Sequence, residues 1–283
     1  MKASEARVLI TGGAGGIGSA VARELLARGA AVLLVGRDGD ALSRLSSSLA
    51  FAGERVATVA ADLTLAAGRQ DVVRAAAAWR GGVNVLMNNA GVSHFGMFED
   101  QSPGQIDLTL AVNVQAPLQL CHAMLPQLLR QPEAVIINTG SVFGAIGYPG
   151  YAVYSATKHA LRGFTEALRR ELAGTNVRAM YVAPRATRTS INSPAVERMN
   201  AELGVATDTP ESVAAALCDM LESGRNAAVL GWPEKLFARL NAVLPGLVDR
   251  ALRKQLPVIR RYASERATPG DTPVGAAAGT STR

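Results

Sequence analysis

A tyrosine, a lysine and a serine in this chain have a spacing that suits proton transfer. Tyr154 and Lys158 lie four residues apart, so on a helix their side chains fall on one face. A free phenol has a pKa of about 10, and a nearby ammonium lowers it toward neutrality by favouring the phenolate. Ser141 can hydrogen-bond the oxygen of a carbonyl or alcohol and hold it against the phenol. The three residues therefore predict a general acid/base with a substrate-orienting hydroxyl.

A glycine-rich turn near the N-terminus predicts a nucleotide site. Residues 7–11 form a short apolar run, TGGAGGIG follows at 11–18, and a helical pattern then runs to Gly29. Strand, glycine turn and helix together present backbone N–H groups and a helix N-terminus to a pyrophosphate. Glycine is needed where the backbone takes a positive φ or passes close to the ligand. The glycines at these positions are Gly12, Gly16 and Gly18.

The end of the second predicted strand bears on the choice of dinucleotide. Residues 31–35 are followed by Gly36 and Arg37, where NAD-preferring sites usually carry an acid that accepts from the ribose 2′-hydroxyl. A guanidinium can instead bind a 2′-phosphate through two hydrogen bonds. We therefore favour NADP(H) as the cofactor. The alternative is that Arg37 only extends from a loop into solvent.

Strands and helices alternate along the rest of the chain, which is typical of a parallel sheet covered on both faces. Ligands of such sheets lie across the carboxyl ends of the strands, where Asp62 is a candidate acceptor for an adenine amino group. Further strands are predicted at 55–62, 83–87, 134–140, 176–184 and 227–230. Further helices are predicted at 66–79, 103–130, 152–173 and 211–222. Residues at or just past strand ends are Gly12, Arg37, Asp62, Asn89, Ser141 and Pro184.

Taken in order, these motifs resemble those of the short-chain dehydrogenase/reductase family over about residues 5–232. The resemblance rests on TGxxxGxG at 11–18, Asp62, NNAG at 88–91, Asn113, Ser141 and YxxxK at 154–158. It implies a single α/β catalytic domain of the Rossmann type in residues 1–232. Its doubly wound parallel sheet would have about seven strands in the order 3-2-1-4-5-6-7, with helices on both faces.

The resemblance also implies a catalytic tetrad of Asn113, Ser141, Tyr154 and Lys158. Lys158 would lower the pKa of Tyr154 and hold the nicotinamide ribose, and Asn113 would anchor a water that relays protons to Lys158. Tyr154 and Lys158 would both touch the cofactor. The other expected cofactor contacts are Gly12, Gly15, Gly16, Ile17, Gly18, Arg37, Asp62, Leu63, Asn89, Ala90, Gly91, Pro184, Thr187 and Thr189.

The loop after the sixth predicted strand departs from the pattern of relatives, which commonly have Pro-Gly there. This chain has Arg185 after Pro184, and Arg188 adds a second charge. Thr189 matches the family pattern and can contact the carboxamide or the pyrophosphate. Two interpretations of the arginines stay open: both extend into solvent, or they meet an anionic group of the cofactor or substrate.

Residues 233–266 form a second departure, a basic amphipathic segment. Pro245 can open a second helix there, and residues 232–266 hold eight basic and three acidic side chains, most of the net charge of +6. Three alternatives follow: the helices cover the substrate cleft, form a subunit interface, or contact an anionic membrane surface through residues 233–262. An apolar cover favours a hydrophobic substrate, long-chain or carrier-linked. The apolar positions at helical spacing are Leu236, Leu240, Val243, Leu247, Ala251 and Leu252.

Composition and charge argue against several classes of protein. Apolar runs stay short of the roughly 18 residues that a membrane span needs, and we expect no signal peptide. Outside 232–266 the chain is close to neutral, so we expect no nucleic-acid partner. We expect no disulfide and no metal, because the cysteines are isolated and the histidines lack ligand spacing. These residues are Cys121, Cys218, His94, His122 and His159.

The expected location is the cytoplasm, with the inner face of the membrane as the alternative. By analogy with relatives we expect a homodimer or homotetramer. Residues 267–283 have the composition of a disordered tail.

The sequence thus predicts an NADP(H)-dependent oxidoreductase of the alcohol dehydrogenase or ketoreductase type, acting on a small carbonyl or alcohol compound. Hydride would pass between the nicotinamide and the substrate carbon while Tyr154 moves the proton. An epimerase or dehydratase is one alternative, although such relatives usually have longer chains. A non-catalytic dinucleotide-binding regulator or scaffold is another, although such proteins tend to lose the tyrosine or the lysine.

Overall fold

Seven parallel strands form the centre of the computed structural model, which describes residues 1–265. Their order is β3-β2-β1-β4-β5-β6-β7, so the predicted doubly wound Rossmann-type sheet is confirmed. The strands are β1 Arg7–Thr11, β2 Ala31–Gly36, β3 Val56–Ala60, β4 Val85–Asn88, β5 Ala134–Thr139, β6 Val177–Ala183 and β7 Ala227–Val229. The tail expected at 267–283 lies outside the described residues.

The two faces of the sheet bury alternate residues of the same strands. Val8 and Ile10 of β1 face one layer of helices, and Leu9 faces the other. The inner strands are therefore near-continuous apolar runs, because a parallel sheet has no solvent face. The helices are α1 Gly16–Ala27, α2 Gly39–Ser48, α3 Ala66–Ala78, α4 Pro103–Leu110, α5 Ala116–Leu128, α6 Ala152–Glu171, α7 Pro194–Glu202, α8 Pro210–Ser223, α9 Glu234–Val243 and α10 Pro245–Ser264. Helices α1, α2 and α8 cover one face, and α3, α5 and α6 cover the other.

The helical stretch predicted over 103–130 is present, but a π-helical turn at Ala111–Gln115 divides it into α4 and α5. The N–H of Ala116 bonds the carbonyl of Ala111, five residues back. Pro117 follows, and a proline has no N–H to give the carbonyl four residues earlier, which belongs to Asn113. The widened turn thus falls on Asn113, the residue of this helical stretch that the motifs single out.

Two helices were absent from the sequence prediction. Helix α2 begins after Asp38, whose carboxylate accepts from the N–H of Ala41 at 2.9 Å. Helix α7 begins after Ser193, which accepts from the N–H of Val196 at 3.4 Å. Both helices are short, so their apolar periodicity is a weak signal. Their capping residues, Asp38 and Ser193, are the stronger signal in the sequence.

Helices α9 and α10 pack against each other, and α10 also contacts α7. Ile259 and Val248 of α10 are buried, the first against Tyr151 and Met199 and the second against Ile146. Much of the predicted apolar stripe remains exposed all the same, including Leu236, Val243 and Leu247. Among residues 1–265, no helix combines the length and the apolar character that crossing a bilayer requires.

Candidate active site

Ser141 stands just past the end of β5, where it caps a short 3₁₀ turn at Val142–Gly144. Its Oγ accepts from the N–H of Phe143 at 3.2 Å. The preceding Gly140 lies against the ring of Tyr181, and a Cβ at Gly140 would come within 2.1 Å of that ring. The serine is thereby held at the carboxyl edge of the sheet, where ligands of this fold bind.

Tyr154 and Lys158 lie on one face of α6, and that face is turned toward Ser141. Lys158 Nζ lies 5.5 Å from the centroid of the Tyr154 ring and donates to the carbonyl of Thr139 at 3.0 Å. The Lys158 side chain is buried, with 5 % of its surface exposed. The structure therefore brings together the phenol, the ammonium and the hydroxyl that the sequence singled out.

Burial controls the acidity of both groups on α6. It raises the pKa of Tyr154, and the nearby Ser141 hydroxyl acts in the opposite direction. It lowers the pKa of Lys158 to about 8. The predicted lowering of the Tyr154 pKa by Lys158 is not seen, because removal from water disfavours the phenolate more strongly than the hydrogen bond from Ser141 favours it.

An aromatic cluster that the sequence analysis missed holds Tyr154 in place. The ring of Tyr154 meets those of Phe143 and Tyr151 edge-on, with centroids 6.3 and 6.1 Å away. Phe143 in turn stacks on Tyr148 at 4.9 Å. Edge-on and offset contacts of this kind favour one ring orientation. The concentration of aromatic residues at 143–154 is the sequence signal that could have revealed this aromatic cluster.

A buried polar chain beneath the site fixes α6 against the sheet. Asn88 Nδ2 donates to Asn138 Oδ1 at 2.8 Å, and Asn138 Nδ2 donates to Thr165 Oγ1 at 2.8 Å. These bonds join β4, β5 and α6, and all three residues are buried. Because such bonds are costly to break away from water, they set the rotation of α6 and hence the direction of Tyr154.

Asn113 is buried in the π turn, and its side chain makes three hydrogen bonds. Its Oδ1 accepts from the N–H of Val92 at 2.9 Å, and its Nδ2 donates to the Val92 carbonyl and to Thr157 Oγ1. The carboxamide therefore anchors the strand-end segment after β4. The Asn113 backbone carbonyl lacks the usual helical donor because of Pro117, so it is a candidate acceptor for a water.

The glycine turn has the features that a pyrophosphate requires. Gly12 has φ +66°, and a Cβ on Gly18 would lie 2.2 Å from the Gly12 carbonyl oxygen. Gly15 stands at the N-cap of α1, and no side chain caps that helix. The N–H groups of the first turn thus remain available to a phosphate, so the residues present fit a dinucleotide. Asn89 and Ala90 brace the turn through hydrogen bonds with Thr11.

Arg37 and Asp62 follow the neighbouring strands β2 and β3 at the same edge of the sheet. Arg37 is exposed. Asp62 Oδ1 already accepts from the N–H and hydroxyl of Thr64, at 2.9 and 2.7 Å, and its second oxygen remains for a ligand. Leu63 beside it is buried.

The structure contradicts the first interpretation of Arg185, that its side chain extends into solvent. Its Nη2 and Nε contact Asp208 Oδ1 at 2.6 and 2.9 Å, and its Nη1 donates to the Trp232 carbonyl at 3.0 Å. Glu234 lies 3.5 Å away as a second carboxylate. Arg185 therefore joins the end of β6 to the start of α9 instead of extending into solvent. Arg188 is exposed.

A cleft of about 490 Å³ runs along this edge of the sheet, from the glycine turn past Tyr154 to α10. Its far wall is apolar and includes Met199 and Leu252. Tyr148 closes one end, donating its hydroxyl to Gln255 Oε1 of α10 at 3.0 Å. Predicted site residues that line the cleft are Ile17, Asn89, Gly91, Ser141, Tyr154, Lys158, Pro184, Thr187 and Thr189. Those that lie behind or beside it are Gly12, Gly15, Gly16, Gly18, Arg37, Asp62, Leu63, Ala90 and Asn113.

An uncapped glycine turn at the carboxyl edge of a doubly wound sheet defines a nucleotide-binding α/β protein. The short chain dehydrogenase family matches residues 6–200. A relative from Bos taurus, dehydrogenase/reductase SDR family member 7B, is 30 % identical over 262 residues, which cover 87 % of this chain and 79 % of that protein. The chain belongs to the short-chain dehydrogenase/reductase family and is an oxidoreductase of that family.

Two solved structures show the same architecture. A short-chain dehydrogenase/reductase from Burkholderia phymatum in complex with NAD has a TM-score of 0.78 at 26 % identity, covering 86 % of this chain and 95 % of that one. A short-chain dehydrogenase from Sphingobium yanoikuyae in complex with NADPH has a TM-score of 0.73 at 26 % identity, with the same coverage. Relatives of this fold thus bind either dinucleotide.

Replacing Lys158 by Met should change how stability depends on pH. The pKa of about 8 in the folded protein lies below the ordinary 10.5, so the unfolded chain binds more protons between these values. The wild type therefore gains stability relative to the variant as pH rises from about 8 to 10.5, by at most about 1.4 kcal/mol per pH unit. Below about pH 8 the difference is constant. Denaturant unfolding without cofactor measures it.

The matched control is Lys254→Met, since Lys254 is exposed on α10. Its stability difference from wild type should not vary over the same pH range. A Lys158→Met difference equally insensitive to pH would contradict a disfavoured ammonium at this site.

Proposed function

We propose that the protein is an NADP(H)-dependent oxidoreductase that interconverts a carbonyl and an alcohol, with Tyr154 as the acid/base. The observation that carries the proposal is the convergence of Tyr154, Lys158 and Ser141 in one cleft beside an uncapped glycine turn. A phenol, an ammonium and a hydroxyl are the groups that a proton transfer to a carbonyl oxygen needs.

In the reduction direction, Ser141 Oγ holds the substrate oxygen and Tyr154 donates its proton to it. The raised pKa keeps the phenol protonated before the reaction, which suits a donor. Lys158, with its pKa of about 8, still carries a proton at neutral pH and stabilises the phenolate that remains. The dinucleotide, when bound, supplies the hydride chemistry.

Reprotonation of Tyr154 can proceed through Lys158 toward the region of Asn113. Gly91 separates these residues: a Cβ there would lie 3.8 Å from Lys158 Nζ and 3.4 Å from Asn113 Oδ1. Glycine at this position keeps a passage open that any larger side chain would narrow. A water bonded to the Asn113 carbonyl would complete the path.

The preference for NADP(H) rests on Arg37. The N-cap at Asp38 directs that carboxylate into α2, where it accepts from Ala41, so the acid next to Arg37 is engaged away from a ribose. Arg37 is exposed at the strand end and can pair with a 2′-phosphate. Bound cofactor would extend from this point to the first turn of α1 and on to Lys158.

A hydrophobic substrate fits the far side of the cleft. Val248 and Leu252 of α10, Phe237 of α9 and Met199 of α7 line it, together with the aromatic cluster. A chain attached to the reacting carbonyl would lie against these side chains and lose contact with water. The homodimer or homotetramer and the cytoplasmic location remain predictions.

Tyr154→Phe should lower kcat by about 100- to 10,000-fold, because the variant has no proton to donate. Its affinity for NADPH, measured by fluorescence titration, should stay within a few-fold of wild type. The matched control is Tyr148→Phe, which removes a hydroxyl bonded to Gln255 rather than one facing Ser141. Undiminished turnover in Tyr154→Phe would refute the acid/base role. Absence of turnover in the wild type, with NADPH still bound, would favour the non-catalytic regulator.

Arg37→Ala should weaken NADPH binding by about 10- to 100-fold and leave NADH binding nearly unchanged, because only NADPH carries the 2′-phosphate. Calorimetric titration of both dinucleotides measures the two constants. Arg23→Ala, at an exposed arginine of α1, serves as the charge-matched control. Equal losses for both cofactors, or none, would remove the basis for the NADP(H) assignment.

The specificity constant should rise with the length of an unbranched aldehyde or ketone. Each buried CH₂ contributes about 0.8 kcal/mol, so kcat/KM should increase by up to about fourfold per carbon until the cleft is full. The measurement is NADPH oxidation with a graded series of substrates. A flat or falling series would contradict a hydrophobic substrate while leaving the acid/base assignment intact.

A further inference from the structure

The end of the molecule formed by α9 and α10 exposes an apolar ridge, defined here as Trp232, Leu236, Val243, Leu244 and Leu247. Val243 is 75 % exposed and Trp232 is 64 % exposed. Half of the twelve large apolar side chains that residues 1–265 leave exposed lie within residues 232–247. A concentration of this kind on one surface marks an interaction site rather than scattered surface residues.

A cationic groove lies beside the ridge. It has a volume of about 510 Å³ and runs between α6, the end of β7 and α9. Glu166 is the one carboxylate that lines it, and it is paired with Arg162 at 3.0 Å. Within residues 1–265, the other four cations of the groove form no ion pair. The groove is defined by Arg162, Arg169, Arg225, Lys235 and Arg239.

Helix α9 carries parts of both features. Leu236, Arg239 and Val243 follow one another at spacings of three and four, so they lie along one face of α9. Leu247 of α10 has the same relation to Arg250, three residues on, and both side chains are exposed. The apolar side chains thus project between cations, as in helices that lie in a bilayer interface.

We propose that this surface binds an anionic phospholipid membrane, with the apolar ridge inserted at the level of the acyl chains and the cationic groove taking headgroup phosphates. Trp232 suits this depth, since indole rings favour the boundary between headgroups and hydrocarbon. Each arginine or lysine near an anionic bilayer strengthens binding, and arginine can bond a phosphate through two N–H groups.

The charge of the surface decides between a membrane and a second copy of the chain. A two-fold contact between copies brings the same patch against itself. The unpaired cations of one groove would then face those of the other, and their repulsion opposes the contact. An anionic bilayer instead neutralises them, and it also accepts the ridge.

The test uses the full chain and sedimentation with vesicles of phosphatidylcholine, with or without phosphatidylglycerol. We expect binding to the mixed vesicles, little to the neutral ones, and weakening as salt is added. The double variant Lys235→Ala/Arg239→Ala should bind the mixed vesicles about 25-fold more weakly, from about fivefold for each cation. The matched charge control is Arg23→Ala/Arg130→Ala, at exposed arginines outside the groove, which should bind like the wild type.

The double variant Leu236→Ser/Val243→Ser should also lose binding, whereas Phe51→Ser/Leu129→Ser, at other exposed apolar positions, should not. Far-ultraviolet circular dichroism confirms that each variant is folded. Failure of the wild type to bind mixed vesicles at low salt would overturn the proposal. Equal binding to neutral and mixed vesicles would overturn it too. So would a wild type that does not bind vesicles but forms an oligomer that the ridge variant dissociates. Vesicle binding needs no substrate, so the result is independent of the proposed reaction.

Discussion

A single buried ammonium, that of Lys158, constrains the whole site. It has one hydrogen-bond partner among the described residues, the carbonyl of Thr139 at the end of β5. A charge taken out of water must be compensated, so this bond ties the register of α6 to the end of the sheet. The same loss of water raises the pKa of Tyr154 and lowers that of Lys158, which widens the interval between two values that are nearly equal in water. Burial of this part of α6 therefore accounts both for the hydrogen bond that fixes Lys158 and for the two pKa shifts.

The polar chain from Asn88 through Asn138 to Thr165 shows how the scaffold meets that constraint. It holds α6 from the side of the sheet, while the aromatic cluster holds the Tyr154 ring from the side of the cleft. Neither the polar chain nor the other rings of the aromatic cluster supply a reacting group. Each restricts one degree of freedom, rotation of the helix or of the ring, so that the phenol is placed before any ligand arrives.

The sequence was sufficient for the residues that come together, because they follow from strand ends and from one-turn spacing on a helix. The sheet order was implied only by the resemblance to the family. Tyr154, Lys158 and Ser141 needed only local periodicity and an alternation of elements. Asn113 was found by motif alone, although Pro117 four residues later is a physical signal that its carbonyl would lack a donor. The pKa shifts could not be predicted, since they depend on burial that distant segments create.

The ion pairs of Arg185 could not be predicted for a related reason: its partners, Asp208 and Glu234, lie 23 and 49 residues away in sequence. The contact of Arg185 with these two acids has a consequence for substitution at this position. Exchanging Arg185 for the glycine that relatives commonly carry would leave the two carboxylates and the Trp232 carbonyl around a vacated position, with no cation among them. A return to the common loop by that one substitution would pass through a less stable protein. Arg185 thus makes the position of the β6 end depend on Asp208 and on the residues that begin α9.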